Sequence, residues 1–198
     1  MVAEYRPSAR DRVRVRARRR LLARLRSLLE PEGVRLLDLG GGTGAAMVSF
    51  GSGAREQVVL EPDERQVTRG RASRAPVTFV VGVAEVLPFE ENRFDRVVSL
   101  MSFHHFPQGD VALREAARVL APGGRLVVYD FDPTTSWGRW VAFFEGRLHH
   151  HGFRFTDPAD LERRVLAAGF RSARREAFGS GAFVVAERGE PVRAPKPL

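Results

Sequence analysis

Leu36-Leu37-Asp38-Leu39-Gly40-Gly41-Gly42-Thr43-Gly44 runs from an apolar stretch into a glycine cluster, and a helical pattern follows it. Glycines at 40, 42 and 44 permit a tight turn and let a ligand approach the main chain with no Cβ in the way. Amides at the start of the next helix would face that ligand. Glu61 closes the following apolar run, 19 residues after Gly42. A carboxylate at that point can accept two hydrogen bonds from ribose hydroxyls. Together these residues predict an adenosine-type cofactor lying across the first two strands.

Two cofactor classes use such an arrangement. Gly40, Gly42 and Ala45 satisfy the dinucleotide fingerprint G-x-G-x-x-A. Asp38, two residues before the first glycine, points the other way: a carboxylate there opposes a bound pyrophosphate and suits a cation. The methionyl part of S-adenosylmethionine carries both an ammonium and a sulfonium. Capping of the turn amides is the plainer role for Asp38. Further along, His104 and His105 follow a fourth apolar run. An imidazole with a pKa near ~6.5 can take a proton at neutral pH, although capping or packing before Pro107 would also use these positions. Asp130 and Asp132 could face an acceptor, or serve the turn before Pro133.

The elements that would position these residues alternate. Residues 9–30 read as an amphipathic helix with Val13, Ala17, Leu21, Leu25 and Leu28 on one face, widened by Leu22 and Leu29, and with Arg10, Arg14 and Arg18 on another. Pro31 and Gly33 end it. Strands are expected at Val34–Leu39, Gln57–Leu60, Val77–Val81, Phe94–Met101 and Arg125–Asp130. Helices are expected at Thr43–Phe50, Asp63–Arg74, Val111–Leu120 and Asp157–Ala168, the last capped by Thr156 or Asp157. Ser172–Ala177 and Ala182–Ala186 would close the chain as an antiparallel pair. Continuous apolar strands separated by helices predict an α/β fold, a mostly parallel sheet covered on both faces. Ligands then bind beyond the carboxyl ends of the strands, where strand order reverses.

Composition narrows the field. The 198 residues are 43% hydrophobic and 28% charged, as expected of a globular chain. No apolar window is long enough to cross a membrane, and the basic start lacks the apolar run of a signal peptide. The absence of cysteine excludes disulfides, thiolate metal sites and cysteine nucleophiles, and fits a cytoplasmic location. Net charge is +8, and residues 1–26, with ten Arg against Glu4 and Asp11, supply all of it. Because 31 of the 32 basic residues are Arg, this bias by itself does not argue for nucleic acid.

Five segments, in order and at family spacing, resemble the class I S-adenosylmethionine-dependent methyltransferases, in particular the type 11 domain. They are Leu37–Gly44, then Leu60-Glu61-Pro62, then Ala84-Glu85-Val86-Leu87-Pro88-Phe89, then Phe94–Ser99, and finally Arg118–Leu126. Ala168-Gly169-Phe170 is similar as well. The resemblance implies a Rossmann-like fold: a seven-stranded, mostly parallel sheet with helices on both faces and a C-terminal antiparallel hairpin. It implies S-adenosylmethionine bound by Asp38, Gly40, Gly41, Gly42, Gly44, Glu61, Pro62, Ala84, Glu85 and Leu100, with His104 and His105 at the reacting end. No metal is expected. One departure stands out: Val83 replaces an Asp that the family commonly offers to the adenine amino group.

The domain reading follows. Residues 1–30 form a basic helix packed on a methyltransferase domain of residues 31–187, and residues 188–198 form a flexible tail. Residues 131–155, with Trp137, Trp140, Phe143, Phe144, Phe153 and Phe155, form an insertion expected to cover a small-molecule acceptor of apolar or aromatic character. His149-His150-His151 resembles a metal tract only in composition. The expected function is in-line methyl transfer to that acceptor. The alternatives are an RNA methyltransferase that uses the basic segment, although no RNA-binding module accompanies it, or a silent donor-binding or interaction protein. A nicotinamide oxidoreductase ranks last.

Overall fold

Adjacent apolar residues on the central strands go to opposite faces, which is why these strands read as unbroken apolar runs. Leu37, Val58, Val97, Val128 and Val184 enter one core cluster, and Leu36, Val59, Val98, Val127 and Val185 the other. The computed structural model describes residues 9–136, 138–140 and 155–189, with side chains of the first helix from residue 15. In chain order its elements are α1 (Ala9–Leu29), β1 (Arg35–Leu39), α2 (Met47–Phe50), β2 (Glu56–Glu61), α3 (Glu64–Ala72), β3 (Thr78–Val81) and β4 (Phe94–Leu100). A 3-10 turn (Phe103–His105), α4 (Gly109–Val119), β5 (Leu120–Phe131), α5 (Pro158–Ala167), β6 (Phe170–Phe178) and β7 (Gly181–Arg188) follow.

The seven strands form one sheet in the order β3-β2-β1-β4-β5-β7-β6. Strands β1 to β5 pair in parallel, and β7 runs antiparallel to both β5 and β6. Chain order therefore reverses between β1 and β4, and the turns leaving these two strands open a crevice at their carboxyl ends. One face is covered by α4 and α5 through Ala112, Leu113, Ala116, Leu161 and Val165. The other is covered by α1, α2 and α3 through Leu25, Leu28, Leu29, Met47, Phe50 and Val67. These are the layers of the expected fold.

Several boundaries differ from the sequence reading for identifiable reasons. The first expected helix after the glycines, Thr43–Phe50, shortens to Met47–Phe50, because Gly44 at φ +71° keeps the chain in the turn. Arg188, placed in the tail by sequence, belongs to β7, where its guanidinium bonds Asn92 Oδ1 at 2.6 Å and also reaches the carbonyl of Leu120. The α1 stripe is shorter than its pattern. Leu25, Leu28 and Leu29 are buried and Leu21 and Leu22 partly buried, while Ala17 is exposed, because the sheet no longer lies beneath that turn. Asp157 caps α5 by accepting from the Ala159 amide at 2.7 Å. Among the described residues no helix is long and apolar enough to cross a membrane, and no group of three acidic or imidazole residues could hold a metal. Residues 141–154 and 190–198, with Trp137, lie outside the described residues, so of the six aromatics named for the insertion only Trp140 and Phe155 are described, and the His149–His151 tract not at all.

Candidate functional site

The turn after β1 is held by contacts within the chain. Gly40 has φ +71°, and a Cβ there would sit 2.7 Å from the Ser102 Cβ, so the two strand-end turns touch at this point. Ser102, directly after β4, fastens them: its hydroxyl donates to the Leu39 carbonyl at 2.6 Å and lies 2.7 Å from Ser99 Oγ. The next turn packs against β3, because a Cβ on Gly44 would meet the Phe79 ring at 2.8 Å. Glu61, at the end of β2, completes the wall. Its Oε2 accepts from the Gly42 amide at 2.9 Å and its Oε1 from the Asp63 amide at 3.1 Å. The carboxylate is thus held in one orientation with lone pairs left on both oxygens.

A cavity of about 640 Å³ opens here, a size common for small-molecule sites. Gly40, Gly41, Gly42, Glu61, Pro62, Ala84, Glu85 and His105 line it. The fold brings these eight sequence candidates together from four separate loops. Asp38, Gly44, Leu100 and His104 do not reach the wall. Leu100 packs into the α1–α3 side of the core, and the next residue, Met101, lines the cavity in its place. Met101 does so at φ +56°, held by a hydrogen bond from its amide to the Tyr129 carbonyl at 2.8 Å. A methionine in this region is uncommon and costs conformational energy. Glu85 shares its carboxylate with the start of α4, accepting from the Gln108 amide at 3.1 Å. Val83 lines the rim and is 47% exposed.

Asp38 lies beneath the turn. It is 1% exposed, and a Cβ on Gly41 would stand 2.6 Å from its Oδ2. Its Oδ1 is buried with no hydrogen-bond partner among the described residues. Burial, and secondarily the nearby Glu61 charge, push its carboxyl up to about 7. A carboxylate in this state is improved by a cation or a donor hydrogen close to the turn. An orphaned acid under a glycine turn, and a second acid poised on the wall, fit a ribonucleoside that also carries positive charge.

His104 belongs to another cluster. Its Nδ1 is 2.8 and 2.7 Å from the two Asp130 oxygens, and its amide donates to Asp130 Oδ2 at 3.1 Å. Its ring lies 4.0 Å from that of His105 and 4.4 Å from that of Phe155. Asp130 is therefore engaged with the imidazole, while Asp132 makes the turn with Thr134, at 2.8 Å from its amide. The sequence reading missed Arg18, Gln66, Met101, Ser102 and Phe106, all on the cavity wall. Ser99 and Ser102, a polar pair at the end of an apolar strand, were the available signal for one of these. A methionine that must turn to positive φ carries no such signal.

The geometry agrees with the comparisons. Residues 37–128 match a family model described as a methyltransferase domain. The chain is 30% identical over 162 residues to the ubiquinone/menaquinone biosynthesis C-methyltransferase UbiE of Rubrivivax gelatinosus, a match covering 72% of this chain and 64% of that protein. Matches to the curated relatives thus span less than two thirds of their length. In fold, the chain is similar to an S-adenosylmethionine-dependent methyltransferase of Thermotoga maritima described as a possible histamine N-methyltransferase, with a TM-score of 0.75, 22% identity, and coverage of 87% of this chain and 90% of that one. It is likewise similar to the magnesium protoporphyrin IX methyltransferase of Synechocystis solved with bound S-adenosylhomocysteine, with a TM-score of 0.71, 16% identity, and coverage of 94% and 90%.

Proposed function

We propose that the protein, whose residues 37–128 match a methyltransferase-domain model, is an S-adenosylmethionine-dependent methyltransferase acting on a small-molecule acceptor. The observation that carries this reading is Glu61, fixed by the Gly42 and Asp63 amides on the wall of a cavity whose other side is the glycine turn. Relatives named as C-methyltransferases of quinone biosynthesis support it. When bound, the donor supplies an electrophilic methyl on a sulfur that leaves readily.

The chain supplies position. Glu61 accepts the ribose hydroxyls. The main chain of Gly40–Gly42 receives the methionyl end, and Asp38 below the turn balances its ammonium. Pro62, Val83, Ala84 and Met101 flank the adenine, with Glu85 the polar group nearest its edge. Since Val83 offers the adenine no carboxylate, apolar packing carries more of its recognition. Aligning an acceptor with the methyl accounts for roughly 7–11 kcal/mol of a bimolecular barrier. His105, on the cavity wall with its ring tilted against that of His104, takes the acceptor proton where one must leave, a step worth about 10²–10⁴-fold. The Asp130–His104 pair positions that ring. Phe155 and Phe131, whose centroids are 5.7 Å apart beside His104, give the acceptor side an aromatic character suited to an apolar or aromatic substrate. In the same reading, residues 31–187 are the methyltransferase domain, its insertion at 131–155 covers the acceptor, and the protein is cytoplasmic.

Calorimetry with S-adenosylmethionine and with NAD tests the cofactor. Binding of the former is expected, and tight NAD binding without donor binding would overturn the assignment. Incubation with labelled methyl donor and cell extract tests the activity. A labelled small molecule is expected; label in RNA would select the RNA alternative, and donor binding with no labelled product would select the silent protein.

A further inference from the structure

Strand order decides where each part of a bound nucleoside falls. The glycine turn leaves β1, Glu61 ends β2, and Val83 stands two residues beyond Val81, the end of β3, with β2 lying between β1 and β3. A molecule with its charged tail on the turn and its sugar on Glu61 therefore has its base past the end of β3. The three places differ in chemistry. The tail has the turn amides with Asp38 beneath them, and the sugar has a carboxylate held by two amides. The base has Leu60, Pro62, Gly82, Val83 and Ala84, none of which carries a polar side chain.

The polar side chains nearest this end are engaged elsewhere. Gln66 belongs to the turn, where a Cβ on Gly42 would stand 3.1 Å from its Oε1. Glu85 commits Oε1 to the Gln108 amide at 3.1 Å, next to Pro107 on the histidine side of the mouth. Val83 and Val86, by contrast, are 47% and 72% exposed. The Val86 amide donates to the Val83 carbonyl at 3.3 Å, so the two valines sit on one turn at the rim. The apolar wall thus continues out of the cavity into solvent, where a binding site's apolar surface can take up more of a ligand.

We propose that the protein holds the donor's purine by shape and apolar contact without recognising its 6-amino group, and so accepts donors altered at that position, including those that carry an apolar substituent there. This rests on the donor reading above. An apolar pocket discriminates weakly between a polar group and its absence, whereas a site built to hydrogen-bond the group rejects an analogue that lacks it. A substituent on the 6-amino nitrogen would leave the cavity past Val83 and Val86 and cover their exposed surface.

The test is calorimetry on the full chain with S-adenosylhomocysteine, its 6-deamino analogue and its 6-benzylamino analogue, comparing wild type and Val83→Asp. All three ligands keep the same ring nitrogens, so main-chain contacts to the ring are common to them. Wild type is expected to bind the first two alike, within about 2-fold, and the benzylamino compound at least as tightly. Val83→Asp sets an acceptor at the rim and should prefer the amino compound to its deamino analogue by about 3- to 10-fold. A thermal melt of Val83→Asp matching wild type shows that the change is local. If wild type rejects the deamino analogue by ~10-fold or more, the base is read and the proposal is overturned while the donor reading stands; Glu85→Gln binding the two alike would then identify Glu85 as the reader. Failure of wild type to bind the benzylamino compound overturns it as well, and so does a Val83→Asp variant with no preference, which would put the base edge elsewhere. If wild type binds none of the three, the proposal and the donor reading both fail.

Discussion

On the β1–β2 side of the cavity the wall is main chain: three glycines, the amides they expose, and a carboxylate fastened to two of the neighbouring amides. On the β4 side, from Met101 to Pro107, the wall is side chain, held in place by the Ser99–Ser102–Leu39 hydrogen bonds and by one residue at positive φ. In the proposed function the first wall would meet the donor's ribose and amino-acid end, and the second, with His105 and Phe106, would face the acceptor. On that reading, constant chemistry is met by backbone, which substitution cannot easily alter, and variable chemistry by side chains.

Breaking the main-chain wall should have larger consequences than altering the other. The largest concerns Asp38. An acid that ionises near 3.8 when unfolded and near 7 when folded stabilises the fold while protonated. That contribution is fully present at low pH and is lost as pH rises from about 4 to about 7, by at most ~4 kcal/mol. Urea denaturation of the ligand-free protein across this range should show the fall, and Asp38→Asn should flatten it. A wild-type profile already flat would mean that the acid is relieved by some other group.

Gly40→Ala comes next. Its Cβ would enter both the left-handed region and the space of Ser102, at a cost of about 2–4 kcal/mol measured by denaturant midpoint. Glu61→Ala should then weaken donor binding by about 1–3 kcal/mol in calorimetry, since it removes a charged acceptor and leaves the Gly42 amide unpaired. The smallest effect sharpens the contrast at the rim. Val83→Asp, placed on an exposed position, should strengthen donor binding by about 0.5–1.5 kcal/mol through one added hydrogen bond to adenine.

The same contrast explains what could be read from the residues alone. The sheet, its reversal point and its closing hairpin follow from apolar runs and glycine breaks, and the place of the Glu61 carboxylate on the cavity wall follows from its position at a strand end. These are local signals. Asp38 was expected at the ligand's side, and the structure buries it. Its place beneath Gly41 depends on the register of β1 against β2, a long-range property. The pairing of His104 with Asp130 joins residues 26 apart across two strands. Arg18, placed by its spacing on a face apart from the apolar stripe, is exposed, and its place on the cavity wall depends on long-range packing that no helical periodicity contains.

The most direct measurement is a crystal structure of the protein with S-adenosylhomocysteine. Its ribose hydroxyls should lie within hydrogen-bond distance of both Glu61 oxygens, with the homocysteine end on the turn above Asp38. A nucleoside bound elsewhere, or in this crevice with Glu61 turned away from the sugar, would contradict that assignment.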